Sequence, residues 1–167
     1  MTLTTPPGLG ELLRHVCELV DQGAEAQYSA LRLNYRARYT PVLRAVAAGA
    51  QSITDITQTV HLTQGAVSQT VSLMVADGIL TKREMLDARK SGVQLTPKGR
   101  ALLKKLQPHW DTTFDAIATL EAEIGHPLRQ VLEATALALK TQGFAERLHH
   151  ASVLASKPRK TKEKKSC

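Results

Sequence analysis

Cysteine is almost missing from this sequence: Cys17 and Cys167 are its two thiols. So distant a pair gives neither a disulfide framework nor a metal-ligand spacing. Aromatic residues supply only 4% of the 167 positions, so the expected core is aliphatic. No apolar run approaches the roughly 18 residues that a membrane-spanning helix needs. Met1 to Gly10 has no basic run and no long apolar block, so no secretory signal is expected there. Gly and Pro show no period, which excludes a collagen-like chain. The sequence has no Gly-rich phosphate loop, Ser nucleophile elbow or HExxH motif. His15, His61, His109, His126, His149 and His150 form no recognised ligand spacing with Cys, Asp or Glu. Catalysis, a bound metal and a cofactor are therefore not expected. What remains is a soluble, cytoplasmic, non-enzymatic chain with no membrane partner.

What is present is apolar residue in quantity and positive charge in two places. The apolar fraction of 43% is enough for a core. The formal charge of +7 is unevenly spread. Residues 157–165 carry +5 and residues 82–105 carry +6, leaving −4 for everything else. A localised cationic segment on a mildly acidic chain suits a polyanionic partner, and also suits a merely solvated face.

Apolar periodicity predicts mostly helix. Leu9, Leu12, Leu13, Val16, Cys17 and Val20 form a helical stripe that Gly23 interrupts, with a resumption through Tyr28, Leu31 and Tyr35. Thr40-Pro41 reads as an N-cap followed by a first-turn proline, opening a helix that stops at Gly49. Ser52 caps another helix, with Asp55 completing a weak capping box. A short turn at His61-Leu62 leads to Thr63, a further N-cap, and to a helix that ends at Asp77-Gly78. Ile79 to Glu84 and Val93 to Leu95 read as two strands of a hairpin. Thr96-Pro97 opens a long helix whose apolar residues include Leu103, Leu106, Trp110, Phe114, Ile117 and Ile124. Gly125-His126-Pro127 breaks it, and a last helix is expected from about Leu128 to about His150. The basic end from Ser156 is expected to be disordered.

Two short helices joined by a tight turn and followed by a basic hairpin describe a winged helix-turn-helix. The second helix fits the major groove of B-form DNA, and its N-terminus offers unpaired N–H groups to phosphate. On that helix Val67, Val71 and Met74 form the apolar face. Thr63 opens the helix, and Gln64, Gly65, Ser68, Gln69 and Ser72 lie opposite that face. Glutamine can read adenine through a paired donor and acceptor, and serine can reach base edges or phosphate. At the hairpin tip Arg89 and Lys90 would lie beside the minor groove, whose narrow A·T-rich form attracts arginine. Thr40 and Ser52, which open the two preceding helices, complete the set of candidate DNA contacts.

The residues Ser52 to Ile56, Thr63 to Gln69, Asp77 to Leu80, Asp87-Ala88-Arg89 and Leu95-Thr96-Pro97-Lys98-Gly99 together resemble the MarR (multiple antibiotic resistance regulator) family. The resemblance covers about residues 30–107 by motif and the helical flanks by order; the Asp-x-Arg wing followed by Leu-Thr-x-x-Gly is its most specific part. It implies a mainly α fold with a small two-stranded β-wing and long N- and C-terminal dimerisation helices. The corresponding divisions are residues 1–36, 37–100, 101–155 and a tail at 156–167. It also implies a homodimeric transcription regulator, in many cases a ligand-responsive repressor, bound to a palindromic operator. By matching position, Gln64, Ser68 and Gln69 face the major groove and Arg89 enters the minor groove. One departure is plain: residues 63–77 contain no Arg or Lys, and Leu73 takes an outward position that is usually polar. The wing and the cluster Lys98, Arg100, Lys104 and Lys105 are then expected to supply most of the electrostatics.

Further candidates have plainer alternatives. Trp110 and Phe114 could line an effector pocket, though such spacing more often marks core. Cys17 could be redox-active, although its stripe position suits a buried or interface thiol equally well. The tail could hold DNA or simply keep the chain soluble. Two rival functions remain: a winged-helix protein–protein interaction module, and a sequence-tolerant architectural DNA binder that uses the basic tail.

Overall fold

The structure, a computed structural model, describes residues 6–83 and 92–156. Helix α1 spans Leu9–Ala30. It runs through Gly23 without the expected break, because a glycine within a helix costs only about 1 kcal/mol relative to alanine. It ends where Arg32 takes a left-handed backbone with φ 54°. The Leu33 N–H then donates to the Tyr28 carbonyl at 2.9 Å and the Arg32 N–H to that of Ser29 at 2.9 Å. Tyr35, expected on the helix, lies beyond its end.

A 3-10 turn at Ala37–Tyr39 leads into α2, Thr40–Ala47. Thr40 is the first helical residue rather than the N-cap, and no side chain caps this helix. The Thr40 hydroxyl instead accepts a hydrogen bond from the Tyr35 hydroxyl at 3.1 Å. Helix α3, Ile53–Thr59, is capped as expected: Ser52 Oγ accepts from the Asp55 N–H at 3.1 Å. The Asp55 carboxylate reaches back to the Gln51 N–H at 3.1 Å. Helix α4, Gln64–Ala76, is capped by Thr63, whose Oγ1 accepts from the Ala66 N–H at 3.2 Å. It closes at Gly78, where φ is 71° and the Ile79 N–H donates to the Met74 carbonyl at 2.9 Å.

Strands β1, Leu80–Arg83, and β2, Gly92–Leu95, pair antiparallel with Leu80 opposite Leu95 and Arg83 opposite Gly92. On its other side β2 bridges to Ser52, and the Val93 N–H donates to the Gln51 carbonyl at 2.9 Å. The hairpin is thereby fastened to the start of α3. Helix α5 covers Pro97–Ile124 and stops at Gly125, as expected. The expected last helix is two: α6, Leu128–Thr141, and α7, Phe144–Ser156. Gln142 is extended at the break, and Arg147 donates to the carbonyls of Ala138 and Gln142 at 3.0 and 3.1 Å.

The chain divides into two compact units, with the boundary at Asp111 inside α5. The core of the first contains Val42, Leu43, Ile56, Val67, Val71, Met74, Ile79, Leu80, Val93 and Leu106. It is not purely aliphatic: all three tyrosines, Tyr28, Tyr35 and Tyr39, are buried in it. Each fully buried side chain of this kind contributes about 1.5–3 kcal/mol from apolar surface removed from water. Along α1 the residues Leu9, Leu12, Leu13, Val16, Leu19 and Val20 remain 45–59% exposed. In the second unit α6 has no buried residue, and Leu137, Phe144, Leu148 and Leu154 are exposed.

Candidate nucleic-acid interface

Helices α3 and α4 pack together across the turn at residues 60–63, forming the helix-turn-helix. Four residues of α4, Val67, Thr70, Val71 and Met74, are buried. That fixes which edge stays open. Gln64, Gly65, Gln69 and Ser72 are exposed and Ser68 is half-buried. The Ser72 hydroxyl donates to the Ser68 carbonyl at 3.0 Å, so what it offers outward is a lone pair. A Cβ on Gly65 would meet no atom within 4 Å, so the surface there is open. Thr63 is exposed as well as capping, and its cap leaves the N–H groups of Gln64 and Gly65 outside the helical ladder. Leu73 is not outward: it is half-buried and packed against the core.

Two of the sequence-derived contacts are placed differently. Ser52 is 2% exposed, with its hydroxyl committed to the Asp55 N–H and its backbone bridged to β2. It is a buried cap, not a groove contact, because the hairpin lies over it. Thr40 is half-buried and bonded to Tyr35, away from α4's polar edge in sequence and in hydrogen bonding. Arg89 and Lys90 lie outside the described residues. At the base of the hairpin Lys82 and Arg83 are exposed, and the Arg83 guanidinium donates to the Gln51 side-chain carbonyl.

The cluster at the start of α5 is divided in its duties. Lys98 Nζ donates to the Asp77 carbonyl at 2.6 Å and Arg100 Nη1 to the Leu95 carbonyl at 2.8 Å. Both remain exposed, as do Lys104 and Lys105. Lys98 thus sits at the C-terminal, negative end of the α4 dipole, where a cation is favoured.

Sequence periodicity gave no sign of the contacts that hold this end of α4. The Tyr39 hydroxyl donates to the Asp77 carboxylate at 2.8 Å, across 38 positions of sequence. Burial pushes the Tyr39 hydroxyl above the ordinary tyrosine range, and the bond to Asp77 and its negative charge push in the same direction. Burial likewise raises Tyr35. A buried polar side chain far from the helix it serves has no local signature.

Trp110, in the first unit, is half-buried against the core, and the Arg44 guanidinium lies 5.8 Å from its ring centre. Phe114, in the second unit, is 38% exposed, with Arg129 5.7 Å from its ring centre. An open groove of about 630 Å³ in the first unit is lined by α2 and the α3–α4 turn, including Thr40, Arg44, Val60, His61 and Leu62. Cys17 is exposed rather than buried within its chain, and its thiol lies 3.9 Å from the Asp21 carboxylate. Among the described residues no three His, Cys, Asp or Glu side chains converge as a metal site. None of the described helices is long and apolar enough to cross a membrane.

No family model matches the sequence, and no significant match is found among curated proteins. Solved structures do match. The M. tuberculosis transcriptional regulator MosR, in complex with DNA, superposes with a TM-score of 0.64 at 18% identity, covering 81% of this chain and 97% of that one. The S. aureus MepR–DNA complex gives 0.61 at 15% identity, covering 82% and 100%. A MarR family transcriptional regulator from Silicibacter pomeroyi gives 0.57 at 24% identity, covering 78% and 94%. At these identities the likeness establishes the fold: a winged helix with long flanking helices, as in the MarR-family regulators.

Proposed function

We propose that this chain is a MarR-like, homodimeric, DNA-binding transcription regulator, acting in the cytoplasm as a ligand-responsive repressor. The observation that carries the reading is the polar edge of α4: a Thr63-capped helix end followed by exposed Gln64, Gly65, Gln69 and Ser72, on a helix whose other face is locked into the core. Such an edge fits a major groove, while the basic hairpin carrying Arg89 and Lys90 reaches the adjacent minor groove. Two relatives in fold, MosR and MepR, were solved with DNA, which supports the reading. The exposed apolar stripe on α1 and the exposed leucines of α6 and α7 support this reading, since a second copy would cover them. A two-fold dimer would set its two α4 helices about one helical turn, ~34 Å, apart on a palindrome.

Selection of bound duplexes from a random pool tests this directly. A palindromic winner is the expected result; enrichment of no sequence, or binding that vanishes on deletion of residues 157–167, would favour the sequence-tolerant binder. A protein-interaction module remains the second reading, because α4 has no Arg or Lys. Salt separates the two: six or more phosphate contacts predict a loss of roughly 10³-fold between 50 and 200 mM salt, which a protein interface would not show.

A further inference from the structure

The C-terminal end of α4 carries an acid where the helix dipole disfavours one. Asp77 follows the last helical residue, and its carboxylate needs donors to remain there. Its donor is the hydroxyl of Tyr39 at 2.8 Å, on a residue only 1% exposed. Tyr39 is also the last member of an aromatic series. Its ring meets Tyr35 edge-on at 6.0 Å and 81°, and Tyr35 meets Tyr28 at 5.0 Å and 87°. Tyr28 is the one buried residue of α1. A continuous buried path thus runs from α1, through Tyr28, Tyr35 and Tyr39, to the end of α4. Its polar links are directional: Tyr35 donates to Thr40, and Tyr39 donates to Asp77.

We propose that the Tyr39–Asp77 hydrogen bond is a positioning contact for DNA recognition, fixing the pitch of α4 relative to α1. This rests on the reading of α4 as the recognition helix. Neither residue lies on α4's polar edge, and neither touches DNA under that reading. The apolar face of α4 and the bonds from Thr96 and Lys98 hold its end to the core and to α5, and the Tyr39–Asp77 bond adds a directional tie toward the tyrosines beside α1, which non-directional apolar burial does not supply. A hydrogen bond has a preferred line and length, so it selects one pitch. In a dimer joined through α1, the pitch of each α4 against its own α1 sets the separation of the two polar edges. The bond therefore acts on specific binding, which needs both edges in register. Non-specific attraction to phosphate is indifferent to it.

The test uses the full-length protein and two fluorescent duplexes of equal length, one the selected palindrome and one a scrambled sequence. Tyr39→Phe removes one oxygen and is expected to weaken palindrome binding about five- to tenfold, the range that loss of one hydrogen bond allows, while scrambled-duplex affinity stays within twofold. Asp77→Asn keeps an acceptor for the Tyr39 hydroxyl and is expected to bind like the wild type. Asp77→Ala is expected to behave like Tyr39→Phe, and the double variant to be no worse than either. The proposal is overturned if Tyr39→Phe and Asp77→Ala leave palindrome binding unchanged, if both duplexes weaken equally, or if Asp77→Asn fails to rescue. Wild-type protein that does not prefer the palindrome sinks the reading of α4 itself, a separate and distinguishable failure.

Discussion

Gly99 lies against the carbonyl of Ile79 so closely that a Cβ at this position would stand 2.1 Å from the oxygen. Around it the Thr96 hydroxyl donates to the Gly78 carbonyl at 2.7 Å, and the Gly99 N–H donates to that same hydroxyl oxygen at 2.9 Å. The Thr96 N–H donates to the Ile79 carbonyl at 3.1 Å. The end of α4, the start of β1 and the start of α5 are joined at this one point. Gly99→Ala must push backbone apart, since no flexible side chain can give way. It should cost about 3 kcal/mol, at the upper end of overpacking costs, read as a lowered midpoint in denaturant unfolding followed by circular dichroism. An unchanged midpoint would contradict the packing.

Arg32 offers the opposite case. It holds a left-handed backbone that side chains disfavour, at the place where helices most often end in glycine. Arg32→Gly is expected to raise stability by about 0.5–1 kcal/mol despite removing a surface cation. Thermal unfolding at fixed protein concentration checks it.

The buried tyrosines predict an alkaline weakness. Tyr35 and Tyr39 hold their protons more tightly in the folded chain than the ordinary value of 10.0, chiefly through burial. At neutral pH both are protonated whether the chain is folded or not, so they give no pH dependence there. Above pH 10 the unfolded chain loses these protons first, and stability falls as pH rises. Urea midpoints measured from pH 8 to 11 should decline, and Tyr35→Phe should flatten the decline. An equally steep fall in that variant would assign the effect elsewhere.

For DNA recognition, Gln69→Ala should cost about 1–3 kcal/mol at one position of the site and relax the base preference there. Arg89→Ala should weaken operator binding, most for sites with A·T-rich flanks. Removing residues 157–167 should reduce non-specific binding and its salt slope while preserving the preferred sequence. Gel-shift titrations at fixed salt distinguish these outcomes. If Gln69→Ala and Arg89→Ala both bind as the wild type does, the assigned surface is wrong.

Association has its own test on α1, where Leu12 and Val16 are each 45% exposed. Leu12→Glu combined with Val16→Glu should convert dimers to monomers in sedimentation velocity, because burying two unpaired carboxylates in an apolar seam is costly. Operator affinity should fall with it. A variant that stays dimeric would move the interface off this stripe.

The order of elements from α2 to α5 could be read in the chain because its signals are local. Ser52, Thr63 and Thr96 cap helices through bonds to N–H groups three residues away, and Gly78 ends α4 through its own backbone freedom. Errors arose where a local signal had a rival. Gly23 suggests a break and is absorbed within α1, whereas the single helix expected from about Leu128 to about His150 is interrupted between Thr141 and Phe144. Thr40 resembled Thr96 in sequence but spends its hydroxyl on Tyr35. Ser52 resembled a groove contact because nothing near it in sequence reveals that β2 lies over it.

The caps at Ser52, Thr63 and Thr96, the apolar spacing of α4 and the placement of charge were therefore settled by the chain itself, since each depends on atoms only a few residues apart. Which serine is covered, how Lys98 and Tyr39 meet at Asp77, and why position 99 admits only glycine were settled by folding. Those outcomes depend on side chains 20 to 40 positions distant, brought within about 3 Å by the burial of a shared core, and no short window of sequence contains both partners.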